Sequence, residues 1–348
     1  MSATRLIMRP ALSSDARPPL VSAVIPTYNR AALLAQCLAS VERQTYRPLE
    51  VIVADDGSTD ETAKVVEGFR EQTATQEGLT VAYLLLPQGG APKARNAGVA
   101  RATGEFIHYL DSDDLIHSRK IQCQVAAFEQ FPDTDFVWSL YSHFDASPPD
   151  DIACDLPTLL KEARHFRAER WPEIPGMVHI GLFRRNACAR IGPWCESLTR
   201  WQDVEYMVRF ANLRPSVVRL PAVLYYLRRH SNGQIQDLYK TVAGVKGGFH
   251  SLQTIERSMS AIPAQNHEMR RSMSNFYKSL AETALKCGLK QEFRAALRGA
   301  TRHRRDLPFR VKALGIDLVC SCFGPAPALK LLQGYHSARL PVPPDCVD

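Results

Sequence analysis

Asp111, Ser112, Asp113 and Asp114 close a strand-like apolar run, Phe106-Ile107-His108-Tyr109-Leu110, and crowd three carboxylates into four positions. Neighbouring carboxylates disfavour one another's ionisation. Burying them unpaired is costly unless they are protonated, paired or bound to a cation. In an extended segment Asp111 and Asp113 point the same way, about 6–7 Å apart along the chain. That spacing suits one divalent cation, held directly or through water. Hard oxygen ligands select Mg²⁺, Mn²⁺ or Ca²⁺ over zinc. The competing reading is a surface turn in which Asp113 or Asp114 caps a helix starting near His117.

The elements that must carry this cluster bear on the choice. "LVSAVIP" (20–26) reads as a strand. Leu33, Leu34, Cys37, Leu38 and Val41 then recur at helical spacing. "LEVIVA" (49–54) is a second strand, dense enough in apolar residues to be covered on both faces. Ser58 and Thr59 are cap candidates for the helix after it. "LTVAYLLL" is a third strand, "APKARNAGVARAT" a helix stopped by Gly104, "EFIHYL" a fourth strand, "SRKIQCQVAAFEQF" a helix and "DFVWS" a fifth strand. This alternation predicts an α/β fold with a mainly parallel sheet and helices on both faces. Ligands bind such sheets beyond the carboxyl ends of the strands.

Four polar groups fall on that edge: Thr27-Tyr28-Asn29-Arg30, Asp55-Asp56-Gly57-Ser58, Gln88-Gly89-Gly90 and the aspartate cluster. They offer carboxylates, amides, an aromatic ring and, nearby, Lys93 and Arg95. The set suits a nucleoside diphosphate held with a divalent cation that neutralises charge on a leaving diphosphate. Neither G-x-x-x-x-G-K-[ST] nor a G-x-G-x-x-G after the first strand is present, which disfavours P-loop and dinucleotide-binding sites.

"VIPTYNR", "VIVADDGSTDET", "GGAPKARNAGVARATGEFIHYLDSDD", "RRNACARIGPW" and "RWQDVEYMVR" resemble the successive blocks of family-2 glycosyltransferases of the GT-A fold. The resemblance spans roughly residues 20–231. It implies transfer of a sugar from a nucleotide-sugar donor, commonly UDP-linked, with inversion and with Mg²⁺ or Mn²⁺. It places Pro26, Thr27, Tyr28 and Arg30 in the nucleotide-binding first loop, and Asp55 and Asp56 near the base. Lys93, Arg95 and Asn96 fall near the nucleotide and donor sugar. Asp111, Ser112 and Asp113 form the D-x-D segment, with Asp113, then Asp111, as metal ligands and His230 as a further one. Asp203 becomes the general base on the acceptor hydroxyl. The usual Glu-Asp pair reads Gln202-Asp203 here, and Gln88 stands where Asn is common.

Plainer readings exist for each. Asp55 and Asp56 could cap a helix, Lys93 and Arg95 could form a solvated helix face, and Asp203 could be an N-cap before Val204, Met207 and Val208. His230 could be an ordinary loop residue. His179 could face the acceptor but reads rather as packed in the interior. Trp194 and Trp201 suit either an acceptor sugar or the core. The competing functions are a sugar nucleotidyltransferase, disfavoured because "PTYNR" lacks a Gly-rich basic first loop, and a non-catalytic nucleotide- or glycan-binding module.

The 348 residues carry 45% hydrophobic and 23% charged side chains, as a soluble globular protein does. Residues 1–19 read as a loose arm, 20–235 as the GT-A domain (20–115 for the nucleotide, 116–235 for the acceptor) and 236–348 as a basic helical extension. That last part holds 17 Lys/Arg against nine Asp/Glu, while the rest is nearly neutral. Leu285, Leu289, Phe293 and Leu297 recur every four residues there, and Gly288 reads as a turn between two helices. A basic stretch beside an apolar one, "RGATRHRRDLPFR" then "VKALGIDLVCSCFGPAPALKLL", suits peripheral contact with a membrane. No leader and no membrane-spanning run is evident, and the nine cysteines are scattered. Together these predict a cytoplasmic protein with peripheral contact at the inner membrane face that takes a glycan or lipid-linked acceptor. Nucleic-acid binding is disfavoured because no aromatic platform interleaves the arginines.

Overall fold

Every residue of β1 (Val21–Thr27) and of β2 (Leu49–Asp55) is buried, so both faces of these strands are covered. The computed structural model describes residues 17–145, 151, 154–168, 174–229, 241–259, 267–304, 307–323 and 325–333. Between the strands come α1 (Ala31–Glu42), α2 (Thr62–Thr73), β3 (Leu79–Leu85) and α3 (Ala91–Arg101). The chain continues through β4 (Phe106–Tyr109), β5 (Leu115–Ile116), α4 (Lys120–Gln130), β6 (Phe136–Phe144), α5 (Leu156–Glu162) and β7 (Arg164–Arg167). β8 (Gly181–Arg184), α6 (Arg185–Ile191), α7 (Gln202–Asn212) and β9 (Ser216–Arg228) complete the α/β part.

The strands form one sheet in the order β3-β2-β1-β4-β8-β6-β9-β5, with β7 on β9. The parallel arrangement expected from the sequence holds from β3 to β4, where Thr27 lies beside Asp55 and Val24 beside Tyr109. That register brings the ends of β1, β2 and β4 together. Beyond β4 the sheet is mixed: β8 is antiparallel to both β4 and β6, and β6 and β9 are parallel.

Several local expectations differ from the structure. The helix expected near His117 begins three residues later, at Lys120. Leu115 and Ile116 pair with Tyr226 and Tyr225 of β9, and α4 begins without a side-chain cap. The turn-and-cap reading of Asp114 therefore fails. Ser58 and Thr59 do not cap α2 either. The N-cap is Glu61, without a side-chain cap bond, and Asp60 before it accepts from the Thr62 amide at 3.1 Å and, with its other oxygen, from the Ala31 amide at 3.0 Å. Gly104 is not the stop of α3, which ends at Arg101. It lies so close to β1 that a Cβ would sit 2.6 Å from Ser22 Oγ.

Among the described residues five helices follow: α8 (Val242–Met259), α9 (His267–Lys286), α10 (Lys290–His303), α11 (Leu307–Phe323) and α12 (Pro325–Gln333). Gly288, at φ +72°, makes the expected turn between α9 and α10. One apolar cluster runs from Val21 to Leu332, so these helices share the core of the α/β part. Residues 1–16, His230 and the expected boundary near residue 235 lie outside the described residues. Among the described residues, no helix is long and apolar enough to cross a membrane.

Candidate active site

At the end of β4 the three aspartates meet three different environments. Asp111 accepts from Arg95 Nη2 at 2.8 Å. Asp113 pairs with Arg30. Asp114 turns inward, accepting from the Tyr225 hydroxyl at 2.6 Å and the Arg228 amide at 2.9 Å. Burial, then the charges of Asp113 and Asp111, push its carboxyl up to about 7. The like charge that looked anomalous in the sequence is thus balanced by two arginines and one weakened acid. Ser112 between them is buried.

Arg95 links this cluster to α7. Its Nη1 donates to Gln202 Oε1 at 3.1 Å and lies 3.9 Å from Asp203 Oδ1, and its guanidinium stacks 4.6 Å from the Trp194 ring. Only 5% exposed, Arg95 is no solvated helix face. Gln202 takes the arginine as a neutral acceptor, where a glutamate would add a third carboxylate. His179 closes the ring: its Nδ1 is 3.6 Å from Asp111 Oδ2 and 3.6 Å from Asp203 Oδ2. Burial favours the neutral imidazole, but the Asp203 and Asp111 carboxylates outweigh it and raise its pKa. Burial also works against charge on Asp203, yet His179 and Arg95 hold its pKa below the ordinary carboxylate value. The expectation of a merely packed His179 is half right. The ring is buried, and it faces two carboxylates because β8 is paired beside β4.

The other expected residues build the loops. Asp55 Oδ1 accepts from the Ser58 amide at 2.8 Å and Oδ2 from the Tyr83 hydroxyl at 2.6 Å. Asp56 accepts from the amides of Gly89 and Gly90 at 2.7 and 2.8 Å. Both carboxylates therefore shape the edge rather than cap α2. Pro26 and Thr27 are buried at the end of β1, and the Tyr28 ring beyond them is 41% exposed. Lys93 Nζ donates to the Pro87 carbonyl at 3.1 Å. Asn96 clasps Trp194, accepting from its amide at 2.8 Å and donating to its carbonyl at 3.0 Å. Trp194 stacks on Tyr206 in the core, and Trp201 packs on Phe276.

Sequence reasoning missed Arg228 and Tyr225. Arg228 Nε donates to the Asp113 carbonyl at 2.8 Å across more than a hundred residues of chain, and no local pattern signals such a contact. Asp111 and Asp113 form a hard donor set of the kind that binds Mg²⁺ or Mn²⁺. Among the described residues no group of three or more His, Cys, Asp or Glu is arranged to hold an ion. Here both carboxylates are paired with arginines, Asp111 with Arg95 and Asp113 with Arg30, and two carboxylates alone leave most of a cation's coordination sphere to other oxygen ligands.

Residues 22–192 match the family model described as "Glycosyl transferase family 2". The chain is 34% identical over 128 residues to the glycosyltransferase GlyG of Streptococcus pneumoniae, a match covering 37% of this chain and 41% of that protein. It is 34% identical over 195 residues to the uncharacterized glycosyltransferase RP339 of Rickettsia prowazekii, covering 55% and 58%. The chain thus spans between about two fifths and three fifths of the length of these relatives. Residues 1–349 of S. aureus TarS, solved in complex with UDP-GlcNAc, superpose with a TM-score of 0.61 at 18% identity, covering 90% of this chain and 91% of that one. The mannosyltransferase PcManGT from Pyrobaculum calidifontis, solved with GDP-Man and Mn²⁺, gives 0.53 at 17% identity, covering 92% and 85%. At such identities these structures speak for the fold alone, which is GT-A. Over residues 22–192, just under half of its length, the chain is a family-2 glycosyltransferase domain.

Proposed function

We propose that the chain transfers a sugar from a nucleoside-diphosphate donor, preferably a UDP-sugar, to a hydroxyl of a glycan, lipid-linked or small-molecule acceptor, with inversion and with Mn²⁺ or Mg²⁺. The observation that carries this reading is the ring Asp111–Arg95–Asp203–His179, in which each carboxylate lies within 3.9 Å of a shared arginine. Asp111 stands with the loops that suit a diphosphate. Asp203 stands across Arg95 from it, on the first turn of a helix from the second half of the domain. An inverting displacement needs a base on the side opposite the leaving diphosphate, and an ionised carboxylate there accepts the hydroxyl proton as the bond forms. A bound cation, held by Asp113 and Asp111, would neutralise the leaving diphosphate. His230 completes the proposed metal set.

Two further points support the reading. TarS was solved with UDP-GlcNAc and PcManGT with GDP-Man and Mn²⁺, so nucleotide sugars bind other proteins of this fold. A non-catalytic module would have no use for a carboxylate held ionised across the site from the nucleotide loops. We place the protein at the cytoplasmic face of a membrane, touching lipid through its basic C-terminal helices. Release of nucleoside diphosphate from a panel of nucleotide sugars, with Mn²⁺ or with EDTA, tests the proposal. Turnover should require the metal, and Asp113→Asn should weaken metal-dependent donor binding without unfolding the protein. Equal turnover in EDTA would refute the metal; no turnover with any donor would favour the module.

A further inference from the structure

α7 does not hold its position through the α/β part alone. Trp201, directly before it, has a left-handed backbone with φ +53° and ψ +34°. For so bulky a residue that conformation is strained and persists only where the surroundings over-determine it. Two contacts do so. The Arg200 guanidinium lies 4.1 Å from the Trp201 ring centroid, and the ring of Phe276, on α9, lies 5.2 Å away. The Trp201 carbonyl then accepts from the Glu205 amide at 3.1 Å and opens the helix.

α8 secures the rest of the segment. Ser197 Oγ meets His250 Nε2 at 2.9 Å, and Gly247 approaches Thr199 so closely that a Cβ would lie 2.5 Å from its Oγ1. Ser258 Oγ donates to Glu205 Oε1 at 3.0 Å, and Asn212 Nδ2 donates to the Ser258 carbonyl at 2.7 Å. From residue 197 to 212 the backbone that carries Gln202 and Asp203 therefore leans on the C-terminal helices. The donor-side residues Arg30, Asp55, Asp56 and Lys93 make their contacts within the α/β part.

We propose that Trp201 and Phe276 are positioning residues: the C-terminal helices, through this ring contact, fix the first turn of α7 so that Asp203 meets Arg95 and His179. The catalytic meaning rests on the function proposed above; the mechanical link does not. Asp203 lies two residues beyond the strained Trp201, so loosening the ring contact shifts the carboxylate while leaving the nucleotide loops in place. A misplacement of about 1 Å can cost a hundredfold in rate.

The test is Phe276→Ala in the full chain, compared with Leu285→Ala. Leu285 is buried on the same helix, nine residues or about 13 Å further along. Both changes remove core packing, but only the first touches Trp201. Phe276→Ala should lower kcat by about tenfold to a hundredfold, leave KM for the nucleotide sugar within about twofold, and speed deuterium exchange at the amides of residues 202–206. Leu285→Ala should lower the melting temperature without these effects. Phe276→Leu, which keeps most of the apolar volume, should show the same pattern more weakly and serves if the alanine variant does not fold. Unchanged exchange in α7, or equal loss of kcat in the two alanine variants, would overturn the proposal. Faster exchange in Phe276→Ala alongside a wild type that transfers no sugar would uphold the contact and remove the transferase reading instead.

Discussion

Asp203 and Glu205 stand two positions apart on one helix and do different work. Asp203 faces Arg95 and His179 with its side chain about a quarter exposed. Glu205 is buried, accepts from Arg209 Nε and Nη2 at 2.8 and 2.9 Å, and holds Ser258 of α8. Their variants should separate accordingly. Asp203→Asn keeps the shape and removes the basicity, so transfer should fall by roughly 10²–10⁴-fold while nucleotide affinity and melting temperature stay near wild type. Glu205→Ala removes the buried carboxylate that the half-buried Arg209 and Ser258 both meet and should cost about 1–3 kcal/mol of stability, read by denaturant unfolding. A wild-type rate for Asp203→Asn would show that the base is elsewhere. At this scale the aspartates were legible in the sequence, because charge at the end of an apolar run has few explanations. His179 was not: an isolated histidine in an apolar stretch looks the same whether it packs or pairs, and only the placement of β8 beside β4 decides it.

Among the elements, α3 controls the site most directly, since it presents Lys93, Arg95 and Asn96 on one short helix. Its position is set by close contact with β1: a Cβ on Gly98 would lie 2.4 Å from Val24 Cγ1. Gly98→Ala must push the helix away from the sheet. Overpacking of this kind costs about 1–3 kcal/mol, and the displaced Arg95 should weaken both donor binding and turnover. Calorimetry of nucleotide binding checks this; wild-type affinity and stability would show that the contact relaxes without moving Arg95. The thirteen-residue β9 was not read as a strand, but the order of the elements from β1 to β6, β5 apart, was legible because each carries a period of two or 3.6 over enough residues to be recognised. The two-residue β5 and the four-residue β7 and β8 were not. Strands that short have no period to read, and β5 and β8 pair with partners about a hundred or nearly eighty residues away. The caps went astray for a related reason. Several Ser, Thr and Asp residues compete around positions 55–62, and long-range contacts to Asn29 and Ala31 decide their roles.

For the whole molecule, the C-terminal helices pose the remaining question of what their outer surface meets. α11 buries Phe309, Ala313, Ile316 and Cys320 on one side. On the other it presents Leu314 at 72% and Leu318 at 64% exposure, with Leu331 of α12 at 50%. These leucines belong to a region whose net charge is +8 within a chain of +7 overall. The sequence showed the charge asymmetry and the apolar stretch. It could not show which leucines face outward, because α11 is apolar on both sides and periodicity alone does not orient it. Exposed leucines among basic residues suit the surface of an anionic bilayer. Each fully buried leucine contributes about 1.5–3 kcal/mol, and each basic residue near the surface about 1 kcal/mol. Truncating the region would be a poor test, since α7 rests on α8 and α9. Leu314→Glu with Leu318→Glu changes only exposed side chains, so the fold and the melting temperature should hold. Co-sedimentation with vesicles rich in phosphatidylglycerol should detect binding of the wild type. That binding should weaken as the Debye length shrinks from about 10 Å at 0.1 M salt to about 3 Å at 1 M. The double variant should lose it at either salt concentration. If wild type and variant sediment alike, the leucines do not touch lipid, and the positive charge serves some partner other than a membrane.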